Sequence, residues 1–272
     1  MKPLISIIMP SYNAAPFIGE AVKSVIGQSY SNWELLIIDD GSTDDTQDIL
    51  SVFDDHRINI FTIHNNQGVS NARNIGLNNI QGEYFSFLDA DDMMPVDSLL
   101  ARIEIFLKDP SASFVDGKVV TFNSRFEQVK DTWTPKFTGN PLSELVKLTG
   151  TCFWGPSWMI KKQSTQNYSF NTSLTHGEDL WFYLQISQSP DHRYTYTKQE
   201  VLHHRTGHMS AMSNLDGLEE GYRKLVQLIC ENPNLDWSQA LLFKRKAKSI
   251  LYKSYAHRFR FWSALKVLLN SW

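Results

Sequence analysis

Three carboxylates occupy four consecutive positions at Asp89-Ala90-Asp91-Asp92, directly after the apolar run Tyr84-Phe85-Ser86-Phe87-Leu88. Like charges this close repel, which raises at least one pKa and costs stability at neutral pH unless a cation sits among them. Three readings compete. Asp91 or Asp92 can cap a helix that begins near Pro95, where negative charge is favourable. A calcium loop fits badly, because Met93 and Met94 break the D-x-[DN]-x-[DN]-G pattern. The third is a divalent ion, Mg2+ or Mn2+, held by one or two carboxylates and completed by substrate phosphate oxygens and water.

The metal reading also uses its neighbours. A diphosphate needs positive charge, which one metal ion and Arg73 can supply. A nucleoside needs a ring to stack on and a carboxylate to read the base, which Tyr12 and Asp40 can supply. A dinucleotide is a weaker fit: no G-x-G-x-x-G follows the first apolar run, and no G-x-x-x-x-G-K-[ST] occurs.

The elements that must position these groups are legible. Apolar runs recur at 5–9, 35–38, 58–63 and 84–88, separated by segments with helical spacing such as Phe17, Ala21, Val22, Val25 and Ile26. Asp44 or Ser42 can cap the helix through Ile49, Leu50 and Phe53. Continuous apolar strands alternating with helices predict an α/β fold, a mostly parallel Rossmann-like sheet flanked by helices on both faces. Ligands of such sheets bind beyond the carboxyl ends of the strands. Pro10-Ser11-Tyr12-Asn13, the Asp39-Asp40 run and Asp89 to Asp92 all follow strands, so the polar chemistry gathers on one edge. After residue 111 the pattern shifts to shorter strands at 113–122, 125–133 and 194–204, with an aromatic loop carrying Trp154 and Trp158. Aromatic faces suit sugar rings, although most of the eight tryptophans are expected in the core.

Composition sets outer limits. At 272 residues with 42% apolar content the chain can fill a real core. No run reaches the roughly eighteen apolar residues of a membrane span, and the start reads as a strand rather than a signal peptide, so a cytoplasmic location is expected. Cys152 and Cys230 lack CxxC spacing and read as buried thiols. The net charge of -3 hides an asymmetry. Residues 237–272 contain eight Lys or Arg and no acid, which leaves -11 for the rest. Such a basic tail suits an anionic partner, either a membrane surface or an acidic face of the same protein. Its mix of bulky apolar and basic residues is that of an interfacial helix, or of a helix packed on the catalytic domain with its cations outward. No nucleic-acid partner is expected, and the oligomeric state is left open.

Taken together and in order, Pro10-Ser11-Tyr12-Asn13, Asp39-Asp40-Gly41-Ser42-Thr43-Asp44, Gln67 to Gly76, the Asp89-x-Asp91-Asp92 cluster and Glu178-Asp179 resemble family 2 glycosyltransferases over residues 1–210. The resemblance implies the A-type nucleotide-diphospho-sugar transferase fold, with a catalytic domain over 1–213; outside it, 214–272 is expected to form a basic helical C-terminal extension. Within the domain, 1–110 would bind nucleotide and 111–213 the acceptor. Pro10, Tyr12 and Asn13 would line the nucleoside pocket, Asp40 would bond the base, typically uracil, and Arg73 would lie near base or phosphates. Asp89 and Asp91 stand for the family's DxD, Asp91 on the metal and Asp89 on the sugar or ribose; Asp92 can share either role. Asp179 matches the general base, and Glu178 would place it or bind acceptor. Trp154 is a candidate acceptor contact because its aromatic face suits a sugar ring.

The family often adds a histidine after the last strand. Here the chain reads His203-His204-Arg205-Thr206-Gly207-His208, so either His208 or His204 can serve the metal. The implied reaction is inverting transfer of a sugar from a nucleotide-sugar donor, expected to be a UDP-sugar, to a glycan or lipid-linked acceptor in bacterial surface polysaccharide synthesis. A peripheral contact with the inner face of the membrane would suit such an acceptor. Two other classes fit the residues less well. A sugar-nucleotide nucleotidyltransferase would want a Gly-rich, Arg-containing loop where this chain has Pro10-Ser11-Tyr12-Asn13. A non-catalytic nucleotide-sugar binder would not need Asp91 and Asp179.

Overall fold

Unbroken Ile, Leu and Val runs can serve as strands only where both faces of the sheet are covered. In the computed structural model, which describes residues 2–207 and 214–270, three strands meet that condition. These are β1 (Ile5–Ser11), β2 (Trp33–Asp39) and β4 (Tyr84–Phe87), each buried along its whole length. β2 and β4 flank β1 in parallel, and β3 (Ile58–Thr62) pairs in parallel outside β2. β3 departs from the expected double coverage because it is the sheet edge, where Ile60 is exposed.

Beyond β4 the direction reverses. β7 (Met159–Lys161) runs antiparallel to β4 and to β5 (Phe114–Phe122). β5 in turn pairs antiparallel with β6 (Val129–Trp133) and parallel with β8 (Tyr194–Arg205). The order β3-β2-β1-β4-β7-β5-β6, with β8 on β5, makes a mixed sheet. Its parallel half coincides with the residues that carry the chemistry.

Alternate side chains of the strands enter different cores. Ile5, Ile7 and Met9 meet α1 (Ile18–Ile26), α2 (Thr46–Ser51) and α4 (Ser98–Lys108) on one face. Ile8, Leu36 and Ile38 meet α3 (Val69–Asn79), α5 (Leu142–Val146) and α6 (Glu178–Ile186) on the other. A Cβ at Gly76 would stand 2.4 Å from Ile8 Cγ2, so only glycine lets α3 lie this close to β1.

Several local expectations need correction. Ile26 is partly exposed, so the buried face of α1 is Ile18, Ala21, Val22 and Val25. α4 starts after Asp97, not at Asp91 or Asp92, and Gln28 Oε1 accepts from Leu99 N at its first turn. Asp44 accepts from Thr46 N at 3.1 Å while Asp45 holds the N-cap position of α2. Cys152 is buried but Cys230 is exposed. Trp33, Trp158 and Trp181 are core residues, whereas Trp237 and Trp262 face solvent.

The C-terminal segment is built into the molecule. Leu225, Val226 and Ile229 of α7 (Leu215–Glu231) and Phe243 and Ala247 of α8 (Trp237–His257) share the core under α3 and α6. Capping is local and strong in α8, where Asp236 and Gln239 form a reciprocal capping box. α9 (Phe261–Leu269) packs Ala264 and Val267 against Leu215, Leu218, Leu251 and Tyr255. Among the described residues no helix is long and apolar enough to cross a membrane.

Candidate active site

Parallel register brings the strand ends together: Ser11 lies beside Asp39 and Ile8 beside Phe87, so the loops after β1, β2 and β4 share one edge. Asn13, at a positive φ of 48°, ties two of these loops. Its Oδ1 accepts from Thr43 N at 2.8 Å, and its own N–H donates to Ser42 Oγ at 2.9 Å. Tyr12 beside it is 48% exposed, leaving its ring open for stacking. Asp40 is almost fully buried, and its two oxygens accept from Gln67 N at 2.9 Å and Gly68 N at 2.7 Å. Its carboxylate thus shapes the loop into α3 as well as facing the cavity.

The cation among the carboxylates is first of all Arg73. Buried on α3, it donates to Asp89 Oδ1 at 2.9 Å and to Glu178 Oε1 at 3.0 Å, with its guanidinium over Phe170 at 5.2 Å. Burial works against its charge, but Asp89, Glu178 and Asp179 offset that and raise its pKa. One side chain therefore joins a carboxylate 16 positions away in sequence to another 105 positions away.

A histidine meets Asp92. His204 Nδ1 lies 3.2 Å from Asp92 Oδ1, which also accepts from Arg205 N at 2.8 Å. Burial raises the Asp92 pKa to about 6 against the pull of His204, and burial opposes the rise that Asp92 imposes on His204. Asp92, expected as a metal ligand, also has a structural task. Only 4% exposed, it clamps the end of β8 onto the carboxylate loop. A short antiparallel bridge between Met93 and His203 closes the same clamp. Arg205 completes it by donating from Nε to Asp91 O at 2.7 Å and from Nη2 to Glu20 Oε2 at 2.6 Å. Nothing in the run of residues 203–208 signals that Arg205 would reach back to Asp91. His208 lies outside the described residues.

Asp179 enters at the N-terminus of α6, after Gly177 at a φ of 73°. Its Oδ1 accepts from Leu180 N at 2.7 Å. Burial and the neighbouring Glu178 charge outweigh Arg73 and push its pKa up to about 7. A carboxylate in that range is matched to taking and releasing a proton at neutral pH.

Two adjoining chambers meet at these groups. The outer, about 900 Å³, is lined by Pro10, Tyr12, Asp40, Arg73, Asp91 and Glu178. The inner, about 440 Å³, is walled by Phe153, Trp154, His176, Leu218 and Tyr222. Asp89, Asp92, Asp179 and His204 border both. Trp154 stands edge-on to His204 at 4.6 Å, whereas Trp158 is fully buried.

His176 and the α7 wall belong to no motif in the sequence. The only sequence signal for that wall is the glycine pair Gly217 and Gly221. A Cβ at Gly221 would stand 2.6 Å from His176 O, so α7 lies directly on the loop before Asp179. Among the described residues no three His, Cys, Asp or Glu side chains gather as a ready metal site. Asp89, Asp91 and Asp92 put carboxylate oxygens at this edge with His204 beside them, a chemistry that fits Mg2+ or Mn2+ taking one or two carboxylates and filling its sphere with phosphate and water.

Comparison with known proteins agrees with this architecture. The family model for glycosyl transferase family 2 matches residues 6–169, from β1 through β7. A relative from Escherichia coli is the UDP-Glc:alpha-D-GlcNAc-diphosphoundecaprenol beta-1,3-glucosyltransferase WfgD. It is 35% identical over 183 residues, covering 67% of this chain and 69% of that one. The crystal structure of Staphylococcus aureus TarS 1-349 with UDP-GlcNAc superposes with a TM-score of 0.71 at 19% identity, covering 93% of this chain and 72% of that chain. The mannosyltransferase PcManGT from Pyrobaculum calidifontis, with GDP-Man and Mn2+, superposes at 0.63 and 19% identity over the whole chain and 77% of its own. The two structures share the fold. The family model, spanning the parallel half of the sheet and its carboxylate edge, joins with the similarity to WfgD to give one conclusion: this chain belongs to glycosyl transferase family 2 and is a glycosyltransferase.

Proposed function

We propose that the protein transfers a sugar from a UDP-sugar to a hydroxyl of a glycan or lipid-linked acceptor, inverting the anomeric centre in one displacement. The observation that carries this reading is the position of Asp179. Its carboxyl, with a pKa of about 7, borders both chambers and so can meet a donor on one side and an acceptor on the other.

In this reading the outer chamber takes the nucleotide. Tyr12 stacks on the base, Asp40 and Asn13 frame it along with Pro10, and Asp89 meets the ribose or sugar. Arg73 holds Asp89 and Glu178 in place and adds positive charge beside the diphosphate. Asp91, assisted by Asp89, would hold Mn2+ or Mg2+, and a bound ion would neutralise charge building on the departing diphosphate. Asp92 keeps the loop in shape, with His204 as its partner, and His208 is a further ligand candidate. Asp179 takes the proton of the attacking hydroxyl, a role typically worth about 10²- to 10⁴-fold in rate. Trp154 meets the acceptor in the inner chamber, and Glu178, beside Asp179 on the outer wall, places that base or meets the acceptor where the chambers join. Attack from the face opposite the leaving group needs no covalent intermediate and therefore no nucleophilic side chain.

The similarity to WfgD, whose name gives a UDP-glucose donor and a diphosphoundecaprenol-linked acceptor, supports a UDP-sugar and a lipid-linked glycan in bacterial polysaccharide synthesis, a reaction suited to the cytoplasmic side of the membrane. Residues 1–110 would supply the donor half and 111–213 the acceptor half, with 214–272 walling the acceptor chamber. Calorimetry of UDP with Mn2+ tests the donor site. Binding should require the ion and weaken at least about tenfold in Asp91→Ala. Binding independent of the ion and unchanged in that variant would remove Asp91 from the site.

A further inference from the structure

α9 is packed the wrong way round for a helix that serves only the core. Its buried side consists of the small residues Ala264 and Val267, while Phe261, Trp262, Leu265, Leu268 and Leu269 face solvent, Trp262 at 81% exposure. At the 100° turn per residue of an α-helix those five bulky side chains fall within one arc of about 120°, on a different side from Ala264 and Val267. Phe259, 82% exposed, extends the arc through an edge contact with Phe261 at 6.2 Å. A contiguous exposed apolar face of this kind marks a surface that meets something else.

Charge selects the occupant. Residues 237–272 carry eight Lys or Arg and no acid. Lys266 borders the apolar arc and is exposed, as is Arg258 just before it. Lys248 Nζ donates to Leu268 O at 3.2 Å and Asn270 O at 2.7 Å, holding the C-terminal end of α9 to α8. Arg260 is paired with Asp216 at 3.0 Å and fixes the other end. A rigidly mounted helix with aromatic and leucine side chains outward and cations beside them is built for an interface that is apolar below and anionic above. A second copy is disfavoured, because it would set two basic segments against each other.

We propose that α9, together with Phe259, seats this protein on the surface of an anionic lipid bilayer, with its aromatic residues at headgroup depth. This rests on the C-terminal helices and is independent of the catalytic reading. It also has a spatial consequence. Leu218 packs in the same cluster as Ala264 and Val267 and lines the inner chamber beside Tyr222. The bilayer-facing helix is thus one packed layer from the chamber that borders Asp179.

Flotation of the full chain with phosphatidylcholine vesicles, with and without phosphatidylglycerol, tests the proposal. The protein should float with the anionic vesicles and bind neutral ones at least about tenfold more weakly. Phe261→Ser with Trp262→Ser should lose about tenfold or more on anionic vesicles, with an unchanged thermal midpoint and unchanged UDP binding. Lys266→Glu should weaken anionic binding and leave neutral binding unaltered. Failure to float with anionic vesicles, or equal flotation of the aromatic double variant, overturns the proposal. So does a dimer, seen in sedimentation without vesicle binding, that the aromatic variant dissolves; α9 would then join two copies.

Discussion

Arg73 and Asp179 are tuned by the same small group of charges, and each responds differently to change. Arg73→Met leaves Asp89 and Glu178 without their shared cation. Since Glu178 is mostly buried and Asp89 about one-third exposed, the expected loss is toward the lower end for a broken buried pair, about 3 kcal/mol by urea denaturation. Asp179→Asn should keep UDP binding and lower transfer by about 10²- to 10⁴-fold; retained transfer would place the base elsewhere. The sign of its pH dependence follows from burial. The folded carboxyl holds its proton up to about pH 7 against an ordinary value of 3.8, so transfer by the parent should rise as pH passes about 7. Between pH 3.8 and about 7 the folded state keeps that proton while the unfolded chain has lost it, so stability falls as pH rises through this window and levels off above it. Asp179→Asn should therefore melt higher than the parent at pH 8, with the gap closing near pH 4. A gap that widens on acidification would contradict the buried carboxyl.

At the scale of elements, close approach is the controlling fact. α3 can deliver Arg73 to the sheet edge because Gly76 lets it rest on Ile8, and α7 can wall the inner chamber because Gly221 lets it rest on His176. Gly221→Ala places a methyl against backbone that cannot yield as a side chain would, so α7 must shift. The expected cost is about 1–3 kcal/mol in thermal or urea unfolding. Transfer to acceptor should fall while UDP binding stays as it was. Loss of UDP binding in that variant would mean that the two chambers are not separable. The edge strand β3 makes the complementary point, since its apolar run is continuous in sequence yet Ile60 is half open to water.

At the scale of the whole molecule, the C-terminal segment completes the core. Leu225, Val226, Ile229, Phe243 and Ala247 share one apolar cluster with β1, β2, α3 and α6. Removing 214–272 would open that cluster to water, at about 25 cal/mol for each Å² of apolar surface exposed. The chain 1–213 should thus lack the cooperative thermal transition of the full chain, measured by circular dichroism or calorimetry. A sharp transition with UDP binding intact would instead make 1–213 a self-sufficient domain.

Much of this architecture is a consequence of local pattern. Apolar runs alternating with helical spacing specify parallel strands, because only a doubly covered sheet buries them. Strand ends then put Tyr12, Asp40 and Asp89 to Asp92 on one edge, as residues after parallel strands must be. Local pattern carries no information about partners brought from afar. That Arg73 would bridge Asp89 and Glu178, that His204 and Arg205 would close on Asp91 and Asp92, and that α7 would wall a chamber beside Asp179 depend on helices crossing the sheet at particular distances. Those distances are set by side-chain volume at contacts such as Gly76 with Ile8 and Gly221 with His176. The carboxylate cluster was therefore visible in the sequence as a charge problem, and only the tertiary structure decided which cations the chain itself brings to it.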